Sequence, residues 1–551
     1  MKPDFHLHRS RQKPSPVYGE TATSFISRIA ASFDVDAKTF CDHKGTSFLR
    51  VIKGNPRAVE ILKRYGIAIP DTMLNSSPIQ KPTSIREFQG HNFPSKVIQN
   101  PEVRGCPVCL RMDADTSNSP AHIAMFMRGT WQVTHVTICS THKHPLIPLW
   151  RDANPTLRYD SASKLRRLTQ EILSGVLDQD TREETDFDIW IKKRLGEEQG
   201  TGWLDQIPLH PAANFCFMLG STLLRHEIKT PSLAAKEDHW ALYQMGYQVA
   251  RHGPAEVADA LRAVQRLPGS PQDGPKKIFP VLYERLAFGY AGNAEYEPFR
   301  KILRQHMIET WPLGVGYELL GQPVTKRRIH SVLTAAQAIG VDQRRLRKML
   351  AAVGVVRDAD IGLSDAWEVF DAEPAKPVLE ELTALVDAKA FAAMIGATRS
   401  QFDRLSEDDI ITRDIKDTDV KAIWNPSDGR ILLESLLMGA VQLRKLSPRW
   451  VHLSKSAQRL KIGPGPIIRA IQDGRITKVG NHASFDGYAA IYVDHDEVLD
   501  VLGAAIPDAE SIEIFAKAVG INQPSRMRRL IVNGHTPSTV MRNPKTRKKQ
   551  H

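Results

Sequence analysis

Two closely spaced pairs of metal-ligand residues constrain the fold of this chain more than any other feature. Cys106 and Cys109 stand in the segment RGCPVCLRMD with two residues between them. Cys139 and His142 have the same spacing in VTICSTHKHPL, and 29 residues separate the two pairs. Two such pairs, brought together by the fold, supply the four ligands of a tetrahedral structural zinc ion. We therefore predict one structural zinc ion bound by Cys106, Cys109, Cys139 and His142.

Two other histidines compete for the fourth ligand position. His135 and His144 lie near the second pair, and we rank His144 below His142 because Pro145 follows it directly. The chain has only five cysteines, which favours metal binding in a reducing compartment over a disulfide framework. A closed ligand set leaves no position for a reacting water, and the pairs do not match the H-E-x-x-H or H-x-E arrangements of zinc enzymes. We therefore expect a protein that is not an enzyme.

The length of the sequence and the positions of its turn-forming segments predict a mainly α, multi-domain fold. A chain of 551 residues exceeds the length at which one hydrophobic core stops growing, about 250 to 300 residues. Residues 100–150 predict turns with short strands, and 161–267 predict helices. The predicted domains are a helical and zinc-ribbon-like module (1–155), a helical region (156–323), two helix-turn-helix units (324–410), a helix-turn-helix with a wing as in excisionase-like winged helices (411–505), and a C-terminal helix-turn-helix with a basic tail (506–551).

The segment 332–356 matches the pattern of a helix-turn-helix. A glycine at Gly340 fits the sharp turn, where the backbone takes a positive φ. The second helix is expected to expose basic and amide side chains, which can read base edges and contact phosphates in a major groove. The alternative is a helical hairpin whose basic face is merely solvated. The six positions that pack the two helices are all apolar: Ala335, Ala336, Ile339, Val341, Leu346 and Met349.

The same frame recurs three times, with turns at Gly396, Lys461 and Gly520. A β-hairpin and a short helix are expected to follow the third copy as a wing. The second copy lies among acidic residues, so it can instead be a protein-binding or architectural hairpin. The expected core positions are Phe391, Ala392, Ile395, Ala397, Phe402 and Leu405 in the second copy, Ala457, Leu460, Ile462, Ile467 and Ala470 in the third, and Phe515, Ala516, Val519 and Ile521 in the fourth, where Met527 and Leu530 are displaced by one residue.

The charge distribution points to an anionic partner. The net charge is +12, and residues 440–551 hold 18 basic against 9 acidic side chains, with no acidic residue after Glu513. Residues 357–434 reverse this balance with 18 acidic and 9 basic side chains. Basic regions attract nucleic acid phosphates, although a solvated tail that only aids solubility is the alternative. The candidate DNA-contacting residues are Gln343, Arg344, Arg345, Arg347, Lys348, Arg399, Gln401, Arg469, Arg475, Arg526, Arg528 and Arg529.

Membrane and secretory segments are not expected. No uncharged apolar stretch approaches the roughly 18 residues of a membrane span, and the first residues, MKPDFHLHRSRQ, lack the apolar core of a signal peptide. We therefore expect a cytoplasmic protein.

The N-terminal motifs together resemble the TniQ family, the TnsD-like target-selection proteins of bacterial transposons. The resemblance runs from about Pro14 to Trp150. It rests on motifs that follow one another in a fixed order. After the opening motif and the Cys-Pro-x-Cys segment come Trp131 and then Val136, Thr137, Pro145 and Leu146, which surround the second ligand pair. The opening motif contributes Gly19, Glu20, Ser24, Arg28 and Ala30, ahead of the Cys-Pro-x-Cys segment.

The resemblance implies a bacterial, nucleoid-associated protein that has a role in transposition but catalyses no reaction. Proteins of this family bind DNA or an RNA-guided complex at the target and recruit an AAA+ ATPase (TnsC-like), which engages the transposase. The basic helix-turn-helix candidates favour direct binding of double-stranded DNA. The helices around Arg28, with the zinc module, are expected to present the ATPase-binding surface. The alternative is a multi-domain helix-turn-helix transcription regulator without a transposition role; a scaffold that binds only proteins is a further one.

Overall fold

The chain folds into two compact units, which comprise residues 1–310 with 314–326, and residues 311–313 with 327–551. The computed structural model describes residues 13–82, 84–98, 100–196, 198, 200–224, 239–266, 273–357, 363–414, 423–503, 512–521, 523–533, 535, 541–542 and 549–550. The fold is mainly helical, with 55% helix and 10% strand, as predicted. The finer division into five domains stays a prediction. Among the described residues, no helix combines the length and apolar character that crossing a membrane requires.

Five short helices open the first unit and share one hydrophobic core. The first four begin at residues whose side chains accept a hydrogen bond from the first helical turn, namely Thr21, Asp36, Ser47 and Asn55. Such capping satisfies backbone N–H groups that have no partner within the helix. The helices are α1 (Ala22–Ser32), α2 (Ala37–His43), α3 (Phe48–Ile52), α4 (Pro56–Arg64) and α5 (Asp71–Asn75).

The segment with the predicted metal ligands combines short strands with helices. Residues 100–150 were expected to hold turns and strands, and two strands are present, but a helix of nine residues begins at Pro107. Proline favours this position because its fixed φ suits the first helical turn and its missing N–H needs no partner there. The elements are β1 (Ile79–Gln80), β2 (Ile85–Phe88) and β3 (His91–Pro94), which form a sheet in that order, α6 (Ser95–Ile98), β4 (Glu102–Gly105), α7 (Pro107–Asp115), α8 (Ala121–Ala124) and β5 (Ile147–Arg151), which pairs antiparallel with β4.

The predicted helical region follows. Two of its helices approach each other through Gly220 and Gly246. A Cβ atom on Gly220 would lie 1.8 Å from the carbonyl oxygen of Leu242, so only glycine permits this contact. The elements are α9 (Pro155–Arg158), α10 (Ser161–Ser174), α11 (Asp186–Leu195), α12 (Leu209–Leu223), α13 (His239–Ala250), α14 (Pro254–Gln265), α15 (Pro275–Ile278), α16 (Pro280–Glu284), α17 (Glu297–Thr310), β6 (Glu318–Leu319) and β7 (Gln322–Pro323).

The second unit is built from pairs of short helices with strands between them. One hydrophobic core runs through residues 332–502, whereas the last helix pair has a small core of its own. The elements are β8 (Ile329–Ser331), α18 (Val332–Ile339), α19 (Gln343–Ala352), β9 (Val369–Asp371), α20 (Ala372–Ala384), α21 (Ala388–Met394), α22 (Arg399–Glu407), α23 (Pro426–Leu437), β10 (Val441–Leu443), β11 (Trp450–His452), α24 (Leu453–Arg459), α25 (Pro464–Gln472), β12 (Val479–His482), β13 (Ile491–Asp494), α26 (His495–Leu502), α27 (Ile512–Ala518), α28 (Pro524–Val532), β14 (Met541–Arg542) and β15 (Lys549–Gln550).

One chain path, which we call a module, occurs three times in the second unit. Each module contains a helix pair and a third helix. A residue ten positions before the turn of the helix pair forms an antiparallel bridge with a second residue, and this second residue lies two positions before the third helix. The residue between that partner and the helix is Asp371, Asn425 or Asp494, which stands at the helix N-cap each time. The first module spans 329–384, the second 386–437 and the third 450–502. Their strand pairs are His330 with Phe370, Val386 with Trp424, and Val451 with Val493.

The helix pairs expected from the sequence are present, although their role in DNA binding stays a prediction. Their turn residues Gly340, Gly396 and Lys461 have φ values of 68°, 70° and 55°. The predicted core positions of the first three pairs are buried or partly buried. In the fourth pair the prediction is wrong for Phe515 and Val519, which are 40% and 49% exposed because its core is small.

At the predicted wing, β12 and β13 pair antiparallel as the central strands of a four-stranded sheet in the order β10-β12-β13-β11, and α26 follows them. The winged-helix description itself stays a prediction. Most of the basic tail, from residue 543 to 548 and His551, lies outside the described residues.

Candidate metal centre and nucleic-acid interface

The four predicted metal ligands converge on one point. The Sγ atoms of Cys106, Cys109 and Cys139 and a ring nitrogen of His142 all lie within 4.8 Å of one another. The Nδ1 atom of His142 is 3.2 Å from the Sγ of Cys109, 3.7 Å from that of Cys106 and 3.8 Å from that of Cys139. Three ligands are buried and His142 is partly exposed. The cluster, which we call the metal centre, could therefore hold one cation.

Two different local structures present these ligands. Cys106 is the N-cap of α7 and Cys109 lies in its first turn, where the helix dipole favours a thiolate. Cys139 and His142 lie in a tight turn closed by a bridge between Ile138 and Pro145. Because the first pair sits at the start of a helix, the structure does not confirm the zinc-ribbon-like description.

The ligand distances fit a tetrahedral ion. Zinc bonds of about 2.3 Å to sulfur and about 2.0 Å to nitrogen place ligand atoms roughly 3.5 to 3.8 Å apart. The distances from the His142 nitrogen lie close to this range, and the two sulfurs of Cys109 and Cys139 are 3.5 Å apart. Small adjustments of the side chains would complete the geometry. The donor set of three sulfurs and one imidazole suits zinc better than calcium or magnesium, which take oxygen ligands.

The thiols compete with one another for a single negative charge. Hydrogen bonds from Cys106 and Cys109 hold the pKa of the Cys139 thiol far below its usual value. Hydrogen bonds with Cys106 and Cys139, together with burial, raise the pKa of the Cys109 thiol. A bound divalent cation would relieve this competition, because each sulfur would then bond the metal as a thiolate.

A charged pair and a methionine border the metal centre. Arg128 pairs with Asp113, with 2.9 Å between Nη2 and Oδ1, and its guanidinium lies 4.8 Å from the ring centre of Trp131. The Nε2 atom of His142 lies 2.9 Å from the Sδ of Met112. The Arg128–Asp113 pair could not be expected from the sequence, because the two residues are 15 positions apart and belong to no motif.

The two competing histidines have other partners. His135 contacts the Tyr243 hydroxyl at 3.0 Å and Nδ1 of His210 at 2.8 Å. His144 contacts the backbone carbonyl of Pro145 and accepts a hydrogen bond from the N–H of Gln179. The preference for His142 therefore agrees with the geometry of the cluster.

The TniQ family model matches residues 11–146. Residues 11–146 are therefore similar to a TniQ domain, and we refer to them as the TniQ domain. The match covers about a quarter of the chain and includes all four residues of the metal centre. No curated protein matches the sequence. The resemblance drawn from the motifs is confirmed, and the domain implies a transposon-associated role in target selection or DNA binding.

The opening motif of the TniQ domain forms a buried polar network. The guanidinium of Arg28 pairs with Glu20 at 2.7 Å and donates to the carbonyl oxygen of Ile123 at 2.6 Å. Ser24 donates to Glu20 and accepts from the N–H of Met127. Burial raises the pKa of Glu20 to about 7, although Arg28 opposes this shift. Arg28 itself is 5% exposed and ties α1 to residues 123–127, whereas the expected ATPase-binding surface of the helices around it stays a prediction.

The basic residues of α19 divide into two groups. Arg344 and Lys348 are exposed, and Arg345 is partly exposed. The expected exposure of Arg347 is wrong, because its guanidinium is buried and pairs with Asp365 at 2.6 Å. Gln343 also donates to Asp365. Only one face of α19 is therefore open to a ligand.

Most of the other candidate DNA-contacting residues have partners within the protein. Arg399 is exposed and pairs with Asp403 on the same helix, whereas the side-chain oxygen of Gln401 accepts from the N–H of Thr398 in a capping box. Arg475 is exposed and pairs with Asp473 at 3.0 Å.

Arg469 donates to the carbonyl oxygen of Asp408 at 3.1 Å. On α28, Arg526, Arg528 and Arg529 are exposed. The structure thus brings the metal ligands together, but it distributes the candidate DNA contacts over four helix pairs.

Proposed function

We propose that this chain is a zinc-stabilised DNA-binding protein of a bacterial transposon, which selects the target site and recruits an AAA+ ATPase and, through it, the transposase. The observation that carries the proposal is the TniQ domain match over 11–146. The rest of the chain adds exposed basic helices, which suit direct contact with double-stranded DNA.

Zinc has a structural role in this proposal. Cys106, Cys109, Cys139 and His142 would hold the ion in a closed tetrahedral set, with His142 bonding through Nδ1. The ion would cross-link the start of α7 to the turn at 139–142. A site with four protein ligands has no open position for water, so the proposal includes no reaction at the metal.

The exposed face of α19 is the proposed DNA-reading surface. Arg344 and Lys348 are four residues apart, so their side chains lie on the same side of the helix. The test is a footprint of the purified chain on DNA that spans an insertion site of the transposon. Substituting both residues by alanine should abolish protection, whereas Arg430→Ala, an exposed control on α23, should leave it intact. Unchanged protection by the double variant would contradict the assignment of α19.

The TniQ domain is the proposed binding partner of the ATPase. Since Arg28 is buried, we propose that the exposed tyrosine directly before the opening motif contacts the ATPase. Tyr18 is 88% exposed, and exposed tyrosines often anchor protein interfaces. Tyr18→Ala should weaken co-purification with the transposon's ATPase and leave the melting temperature unchanged. Retention of full binding would remove Tyr18 from the proposed interface.

The second candidate function is transcription regulation without transposition. It is favoured by the position of the candidate DNA contacts, all of which lie outside the residues matched to TniQ. A transposition assay separates the two: deleting the gene should abolish directed insertion under the first proposal and leave insertion unchanged under the second.

A further inference from the structure

The third module carries a row of basic side chains on its first helix. Lys455 and Arg459 on α24, together with Lys461 in the turn that follows, are all exposed. We call these three residues the α24 strip. Lys455 and Arg459 are four residues apart and lie on one side of the helix, where like charges repel each other. This arrangement of like charges does not stabilise the fold.

The α24 strip lacks compensating charges. Among the residues that the structure describes, no acidic side chain pairs with Lys455, Arg459 or Lys461. Two other basic residues of the module do pair with acidic side chains: Arg475 with Asp473 and Lys478 with Asp494. Within the described part of the chain, the strip is therefore a patch of positive charge without acidic partners.

The backbone at Lys461 is strained. Its φ is 55°, in the left-handed region that side chains with a Cβ atom disfavour. The equivalent turn residues are glycines in the other helix pairs, at Gly340, Gly396 and Gly520. A lysine in this position costs stability that a glycine would not, and strain of this kind tends to occur where a side chain has a function.

The second helix of the same module is closed to DNA at its start. The N–H of Gly465 donates to the carboxylate of Asp408 at 2.8 Å, and Arg469 donates to the Asp408 carbonyl oxygen. A Cβ atom on Gly463 would lie 2.1 Å from the same carboxylate. The N-terminal turn of a reading helix must enter the major groove, and in α25 the second module covers that turn.

The first module has the opposite distribution of charge. Its second helix, α19, exposes Arg344 and Lys348, whereas the positions equivalent to the α24 strip are Thr334, Ala338 and Gly340, which carry no charge. The two modules share one chain path, but their exposed basic side chains lie on different helices.

We infer that the α24 strip binds the phosphate backbone of double-stranded DNA, so that the third module contacts DNA through its first helix and turn rather than through its second helix. Phosphate contacts from the first helix fix the position of a helix pair on the duplex without reading sequence. This inference rests on the proposed DNA-binding function and assigns one of its surfaces.

Lys461→Gly gives the sharpest test, because stability and binding should change in opposite directions. Removing the strained side chain should raise the melting temperature of the full chain. Affinity for a short mixed-sequence DNA duplex should fall, and the slope of log affinity against log salt should drop by about 0.9 for the lost phosphate contact. A variant that is more stable and binds more weakly cannot have lost affinity through misfolding. Unchanged affinity and salt slope would overturn the inference.

A second variant tests the helix itself. Lys455→Ala with Arg459→Ala should lower the salt slope by about 0.9 for each contact removed and leave the melting temperature unchanged. Lys389→Ala, which removes an exposed charge from the first helix of the second module, is the matched control and should change neither quantity. If Arg469→Ala lowers the salt slope while the α24 variants do not, then α25 is the contacting helix and the inference is wrong.

Failure of the inference can be told apart from failure of the proposed function. If the wild-type chain binds the duplex and Arg344→Ala with Lys348→Ala weakens binding, then DNA binding stands whatever the α24 variants do. Absence of any salt-dependent binding by the wild-type chain would overturn both.

Discussion

Cys109 is the ligand through which the two halves of the metal centre meet. Its Sγ lies 3.2 Å from Nδ1 of His142 and 3.5 Å from the Sγ of Cys139, so it touches both residues of the second pair. We expect Cys109→Ser to abolish zinc binding, with zinc falling from one ion per chain to near zero, and to lower the melting temperature, since metal binding and folding are coupled. Elemental analysis of purified protein and thermal unfolding check these outcomes.

Two controls separate a ligand from a buried thiol or a nearby imidazole. Cys41→Ser changes a buried cysteine outside the metal centre, and His144→Ala removes the competing histidine. Both variants should retain zinc, even if they lose stability. Loss of zinc in His144→Ala, with retention in His142→Ala, would exchange the roles of the two histidines.

The buried histidine pair should make the first unit sensitive to acid. Burial lowers the pKa of His210 to about 4, below the ordinary value of 6.5. The unfolded chain therefore binds more protons between these values, and stability falls as pH drops from 6.5 toward 4. The loss between pH 7 and pH 5 should be about 2 kcal/mol from His210 alone.

Urea unfolding at several pH values tests this dependence. Wild-type stability should fall more steeply from pH 7 to pH 5 than that of His210→Gln, whose side chain does not titrate. Comparing the two slopes removes the contribution of histidines that do not contact His210, which both proteins share. Parallel pH profiles would contradict the assignment.

At the residue scale, spacing predicted the metal centre because both ligand pairs are local. Two residues between ligands suffice to place them on one turn, and the sequence displays that directly. Glu20, Ser24 and Arg28 were recognised as a motif, but the buried network that they form was not expected from the sequence. Nothing local distinguishes an arginine that binds a partner from one whose acceptor, the carbonyl of Ile123, lies 95 residues away.

At the scale of elements, α19 has one structural face and one open face. Arg347 pairs with Asp365 and also donates to the carbonyl oxygen of Leu363, which anchors the following loop to the helix. Arg347→Ala should destabilise the second unit by about 3 kcal/mol, because it leaves the partly buried carboxylate of Asp365 without its cation. Arg344→Ala should change stability by less than about 0.5 kcal/mol.

The free energy of unfolding and the DNA affinity should respond differently to the two variants. Below the unfolding transition, Arg344→Ala should lower affinity with stability intact, and Arg347→Ala should lower stability with affinity largely intact. The reverse pattern would show that the reading face has been assigned to the wrong side of α19.

Helix pairs could be predicted from the sequence because their core positions repeat at fixed distances from the turn residue, which is glycine in three of the four pairs. The strand that precedes each pair could not, since a single bridge such as Val386 with Trp424 leaves no period in the sequence. Exposure of basic residues could not be predicted either. A period of 3.6 residues places Arg347 near the edge of the buried face, and its burial depends on Asp365, 18 residues further along the chain.

At the scale of the whole molecule, the ligands of the metal centre and the candidate DNA contacts belong to different units. The metal centre lies in the unit that contains the TniQ domain, and the three modules with their common core lie in the other. This division agrees with a protein in which one part is held together by metal and another binds DNA. The composition of the sequence suggested this division, because three of the five cysteines lie within residues 106–139 and the excess of basic charge lies in residues 440–551.

Chelation should therefore act on one unit. Each unit has hydrophobic clusters of its own, so calorimetry of the full chain should show more than one transition. Removing zinc with a strong chelator should lower the transition of the first unit, because a ligand that binds only the folded state stabilises the unit that contains its site. The transition of the second unit, identified with the Arg347→Ala variant, should keep its temperature. A shift of both transitions by the same amount would mean that the metal stabilises the modules as well, and a shift of neither would remove zinc from the fold.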